Sequence, residues 1–155
     1  MFWTNRGKYL LLDWAFHGEP LPDYFYVALI TADDIPTVDT NLFSELTEIT
    51  SGNGYTSGGF ELDLDASAPS FDVLTEDDVN DRVIIQVKDV FWIASGGTIP
   101  ASGNVARYAI LTDDVGVAVS ERQVLAVWDL IDDRYATDGE TFTLTNLELR
   151  AVEPD

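Results

Sequence analysis

Apolar and polar positions alternate along this chain in short runs punctuated by glycine, proline, asparagine and aspartate, the pattern of a protein built mostly from strands. FELDLD is the cleanest case. Phe60, Leu62 and Leu64 point one way and Glu61, Asp63 and Asp65 the other, so one face of that strand is wet. The earlier run YFYVALIT, from Tyr24 to Thr31, is apolar at both parities and predicts a strand covered on both faces. A preceding helix is the obvious cover for one of them. It is predicted from Thr4 to Phe16, where apolar residues recur at Tyr9, Leu10, Leu12, Trp14 and Phe16. Thr4 or Asn5 supplies its N-cap, and Gly18 and Pro20 stop it.

DTNLFSEL is read as a single helical turn, and SGNGYTSGG, from Ser51 to Gly59, as a glycine-rich surface loop. The later runs RVIIQVKDVFWIA, VARYAILT, RQVLAVWDL and ETFTLTNLELRAV are β-branched and aromatic, as strands prefer. In VARYAILT, Val105, Arg107, Ala109 and Leu111 share one face while Tyr108 and Ile110 take the other. Two of the runs slip phase by one residue. Val83, Ile85 and Val87 give way to Val90 and Trp92, and Phe142 and Leu144 give way to Leu147 and Leu149. A β-bulge or a bend between sheets produces such a slip. With roughly eight strands, one N-terminal helix and no βαβ alternation, the predicted fold is mainly β: an antiparallel β-sandwich or jelly-roll-like barrel. The 155 residues form one domain, with 1–18 as a helical segment packing on the sandwich or on a partner.

Composition agrees with a folded chain, at 46% hydrophobic and 12% aromatic residues. Its charge is lopsided. The formal net charge is −20, and between Lys8 and Arg82 stand 16 acids and no base. Such a surface repels phosphate backbones and anionic lipid, so no nucleic-acid or membrane partner is expected. YLLLDWAF is eight residues long and carries an aspartate, too short and too polar to span a bilayer, and no signal peptide is read. Cysteine is absent, which removes disulfides, thiolate metal sites and a cysteine nucleophile.

The candidate chemistry resides in carboxylates. Acidic pairs recur at Asp33–Asp34, Asp113–Asp114 and Asp132–Asp133, with a denser group at Glu76, Asp77, Asp78 and Asp81. None has the alternating spacing of a calcium loop, and all are read as solvated turns, though turns converging at one end of a sandwich could assemble a calcium site. Arg107 is read as a structural ion-pair partner and the lone His17 as an end-cap on the first helix. No nucleophile elbow accompanies His17, and SGNGYTSGG lacks the lysine of a phosphate loop. No catalytic residue, metal ligand or cofactor is assigned. Trp14, Trp92 and Trp128 read as core, whereas Trp3 beside Phe2 looks free to anchor a partner or to fold back onto the body. Phe2 and Trp3, with Asn53 and Tyr55 of the glycine-rich loop, are the candidate partner-binding residues.

Four segments in order carry a resemblance: NRGKYLLLDWAF followed by YVALITAD, the Gly54–Tyr55 pair after a glycine-rich loop, and the late series VARYAILTDD, VLAVWDL and DGETFTL. Together they resemble small virion structural proteins of tailed bacteriophages. The resemblance implies a non-enzymatic particle component. A capsid decoration or cement protein is favoured over a tail or neck accessory protein, with the major capsid protein or other virion proteins as partners. It also implies a homo-oligomer, with a trimer favoured, on the virion and assembled in the host cytoplasm. Two other readings stand beside it: a carbohydrate-binding β-sandwich module, with or without calcium, and a hydrolase using two carboxylates or His17 in a shared cleft.

Overall fold

The computed structural model describes residues 1–64, 70–115 and 118–152. The fold is mainly β, an antiparallel sandwich with one short N-terminal helix. In chain order come β1 (Phe2–Trp3), α1 (Asn5–Leu12), β2 (Tyr24–Ile30), β3 (Phe60–Asp63), β4 (Phe71–Asp77), β5 (Arg82–Val87), β6 (Val90–Ile93), β7 (Ala106–Asp113), β8 (Val124–Arg134), β9 (Thr141–Leu144) and β10 (Glu148–Val152). Five strands make the larger sheet, in the order β1-β8-β7-β2-β3. Opposite it stand a three-stranded sheet, β10-β5-β4, and a two-stranded ribbon, β6-β9.

The phase slips mark the bend between these two smaller sheets. At Lys88–Asp89 the chain leaves β5 for β6, and at Thr145–Asn146 it leaves β9 for β10. Val90 pairs with Leu144 on one side of the corner, and Val87 N–H donates to Leu147 O at 2.8 Å on the other. Each strand turns its apolar side inward again after the corner, at the cost of one residue of phase. Asn146 takes a left-handed φ of 56° there, a conformation that asparagine tolerates better than most residues.

The larger sheet is covered on both faces, as the two-parity pattern of β2 predicts. Val27 and Leu29 face the main core with Ala109, Leu111 and Trp92, while Ala28, Ile30 and Ile110 face a second cluster. The cover of that second face is not the helix. Phe43 and Leu46, from the short turn read in DTNLFSEL, close it instead. In β3, Leu62 is buried and Glu61 and Asp63 are exposed as the alternation requires, but Leu64 is exposed as well; Asp65 lies outside the described residues.

Helix α1 backs onto β8. Thr4 caps it, its hydroxyl oxygen accepting Gly7 N–H at 2.8 Å and its O–H donating to Val124 O at 2.6 Å. Gly7 lies so close to β8 that a Cβ there would overlap the Leu125 carbonyl. The α-helix ends at Leu12, earlier than predicted, and passes into a π-turn, Asp13–His17, before Gly18 closes it at φ 76°. The wider turn holds Trp14 edge-on to Phe25, ring centroids 5.8 Å apart.

Candidate functional site

Phe2 and Trp3 do not hang free. They form β1, paired with Val127 and Ala126 of β8, and both are half-buried. Trp3 packs on the main core and its indole N–H donates to Arg150 O at 2.7 Å, while Phe2 packs on the second cluster. The pair is folded back onto the body, the second of the two readings, because burying two aromatic rings and completing a ladder outweigh leaving them in water.

The glycine-rich loop is pinned rather than adaptable. Gly52 and Tyr55 exchange backbone hydrogen bonds, of 2.8 and 3.0 Å, across a tight turn with Asn53 at φ 53°. Asn53 donates from Nδ2 to Thr98 O at 2.8 Å and accepts Ser95 N–H at its carbonyl. Tyr55, only 2% exposed, packs against Trp92 at 5.3 Å. Its hydroxyl donates to Glu48 Oε1 at 2.8 Å and accepts Leu29 N–H at 3.0 Å. Glu48 also accepts Ser57 O–H and Gly58 N–H, both at 2.6 Å, and burial beside this carboxylate pushes the Tyr55 phenol well up from its ordinary value. Asn53 and Tyr55 thus hold the loop to the body, and Tyr55 offers a partner almost no surface.

Asp113–Asp114 is not the solvated turn that its position suggests. Asp113 is fully buried, accepting Gln123 N–H at 2.7 Å and the Gln123 side-chain amide at 2.8 Å. Arg6 Nε reaches the same Gln123 through Oε1, tying α1 to the end of β7. Burial raises the Asp113 carboxyl above its ordinary range. Asp114 accepts Tyr24 N–H at 3.2 Å.

Asp132–Asp133 is no turn either, since both residues lie exposed within β8, while Asp33, Asp34 and Asp77 are engaged locally. Asp33 accepts Thr31 and Asn104 donors, and Asp34 accepts the Thr47 hydroxyl at 2.5 Å. Asn80 and Arg82 hold the Asp77 carboxyl below its usual range. Arg107 pairs with Asp129 at 3.0 Å and reaches the Ile131 carbonyl, the structural ion pair its position predicts. His17 binds Asp13 at 2.8 Å, one turn back, instead of the helix-end carbonyls. Trp92 and Trp128 are core, as read, whereas Trp14 is only half-buried and packs against the core from the π-turn. Among the described residues no group of three or more His, Asp or Glu side chains is gathered as a metal would need, and no helix is long and apolar enough to cross a membrane.

Two apolar surfaces escaped the sequence reading. On α1 and its π-turn, Leu10 and Trp14 face the body while Tyr9, Leu12 and Phe16 face out, Leu12 at 60% and Phe16 at 78% exposure. The signal was present: apolar residues fall on two faces of one short helix, and only one can lie on the sandwich. The second surface is the far end of β4-β5-β10. Along β5 the inward row runs from buried Val87 through half-buried Ile85 to Val83 at 41% exposure, and neighbouring Leu74 reaches 71%. Compared with family models, curated proteins and solved structures, the chain matches none.

Proposed function

We propose that this chain is a non-enzymatic structural component of a tailed-phage virion, a decoration protein that strengthens the head. The observation that carries the reading is large apolar surface among the described residues, on α1 and at the end of β4-β5, left exposed on a strongly acidic β body. Uncovered patches of this kind belong to proteins that complete themselves against other chains. The order of the resembling segments adds the particle context. The candidate chemical groups support a passive role, since Asp113, Glu48, Asp77 and Arg107 are each spent on hydrogen bonds or ion pairs that hold the fold.

In this role the protein sits across neighbouring capsid subunits and holds the joint by buried area. The acidic surface keeps it from adhering to DNA. The test is binding of the purified protein to procapsids and expanded heads, followed by heat. Saturable binding with a raised disruption temperature is expected. Binding to tails or necks and to no head form would move the protein to an accessory position, and binding to no virion part would overturn the proposal.

A further inference from the structure

The two uncovered surfaces differ in charge. Residues 1–17 contain Arg6 and Lys8 against the single acid Asp13, a net +1, so the remainder of the chain carries −21. The helix stripe of Tyr9, Leu12 and Phe16, lined also by Asp13 and His17, is therefore set in a mildly basic segment. The other surface includes a groove of about 490 Å³ at the open end of β4-β5-β10, lined by Val83, Ala151 and Val152 and by the acids Glu76, Asp78 and Asp81. Arg82, the base in that groove, is already paired with Asp77 at 2.8 Å.

We propose that these surfaces are the two halves of one contact, α1 of one copy seating its stripe in the β4-β5-β10 groove of a second copy. Charge chooses the occupant. Helix against helix would bring Arg6 and Lys8 of both copies together, and groove against groove would face two acidic rims. Helix against groove sets exposed Lys8 opposite carboxylates and covers the helix stripe together with Val83, Ala151 and Val152. Within one copy the helix cannot reach the groove, because Thr4 and Gly7 fasten it on β8. The contact joins unlike surfaces, so it repeats head to tail and closes into a ring where the rotation allows. It does not depend on a virion role, because it is measured on the isolated chain.

The experiment is sedimentation equilibrium on the full chain and two variants, with far-UV circular dichroism to confirm folding. The helix variant carries Leu12→Asp with Phe16→Asp, and the groove variant carries Glu76→Lys with Val83→Lys. Wild type should self-associate in a concentration-dependent way at moderate salt, where the repulsion between two acidic copies is screened. Each variant alone should lose association and remain monomeric. Mixed in equal amounts they should form a dimer and nothing larger, since one supplies an intact groove and the other an intact helix. The exposed single changes Phe16→Asp and Asp78→Lys replace the doubles if either fails to fold. A monomeric wild type, a groove variant that still associates like wild type, or a mixture that stays monomeric would each overturn the proposal.

Discussion

The Tyr55 hydroxyl donates to Glu48 Oε1 at 2.8 Å from a position in the core. Through this bond and the Leu29 N–H that the same oxygen accepts, the glycine-rich loop is fastened to β2. Tyr55→Phe keeps the ring against Trp92 but leaves the Leu29 N–H without its acceptor in a buried place. The expected loss of stability is about 1–3 kcal/mol. Glu48→Gln should cost less, because an amide oxygen still accepts from the phenol. Urea unfolding of both variants measures the difference, and equal losses would place the weight on the Glu48 charge instead.

Gly7 gives a prediction of reversed sign. In an ordinary helix interior, alanine is more favourable than glycine by about 0.8–1.0 kcal/mol. Here the added Cβ meets the Leu125 carbonyl, so Gly7→Ala must lift α1 from β8. Thermal unfolding should show a loss of about 1–3 kcal/mol, the usual range for overpacking. A stabilised variant would mean that the helix does not rest where it is described.

Asp113 and Asp77 should impose opposite pH dependence. The folded chain holds the Asp113 proton more tightly than the unfolded chain, because burial raises that carboxyl. Its contribution is fully present below the unfolded aspartate value of about 3.9 and is lost as pH rises through the raised folded value. The stability of Asp113→Asn relative to wild type should therefore improve as pH climbs through that window. Asp77 is held low by Asn80 and Arg82, so its contribution is present above the unfolded value and lost as pH falls through the folded one. Relative to wild type, Asp77→Asn should then improve as pH falls. Urea midpoints of the two variants measured across the acid range check both signs.

Much of this was legible in the residues. FELD and YAIL announce their faces because side-chain direction in a regular strand depends on position alone, whereas the exposed Leu64 and the bulge between Ala106 and Tyr108 break the pattern at its ends. The phase slips near Lys88 and Thr145 announce a corner, and Thr4 and Gly18 mark the two ends of the helical segment. The candidate partner residues were less legible. Phe2 and Trp3 look free until β8 is known to pass beside them, and Tyr55 looks like loop until Glu48 and Leu29 converge on its hydroxyl. Asp113 looks solvated for the same reason: its Gln123 partner arrives from the following strand.

The sequence by itself determined the strand-rich class, the acidic surface and the places where the chain must turn, since periodicity, charge and backbone freedom are local properties. Only the tertiary structure decided which apolar face is covered and by what. Leu10 and Leu12 lie two residues apart in one helix, yet Leu10 is in the core and Leu12 in water. Burial is a relation between segments distant along the chain, and for this helix it is β8 that turns one side inward and leaves the other exposed.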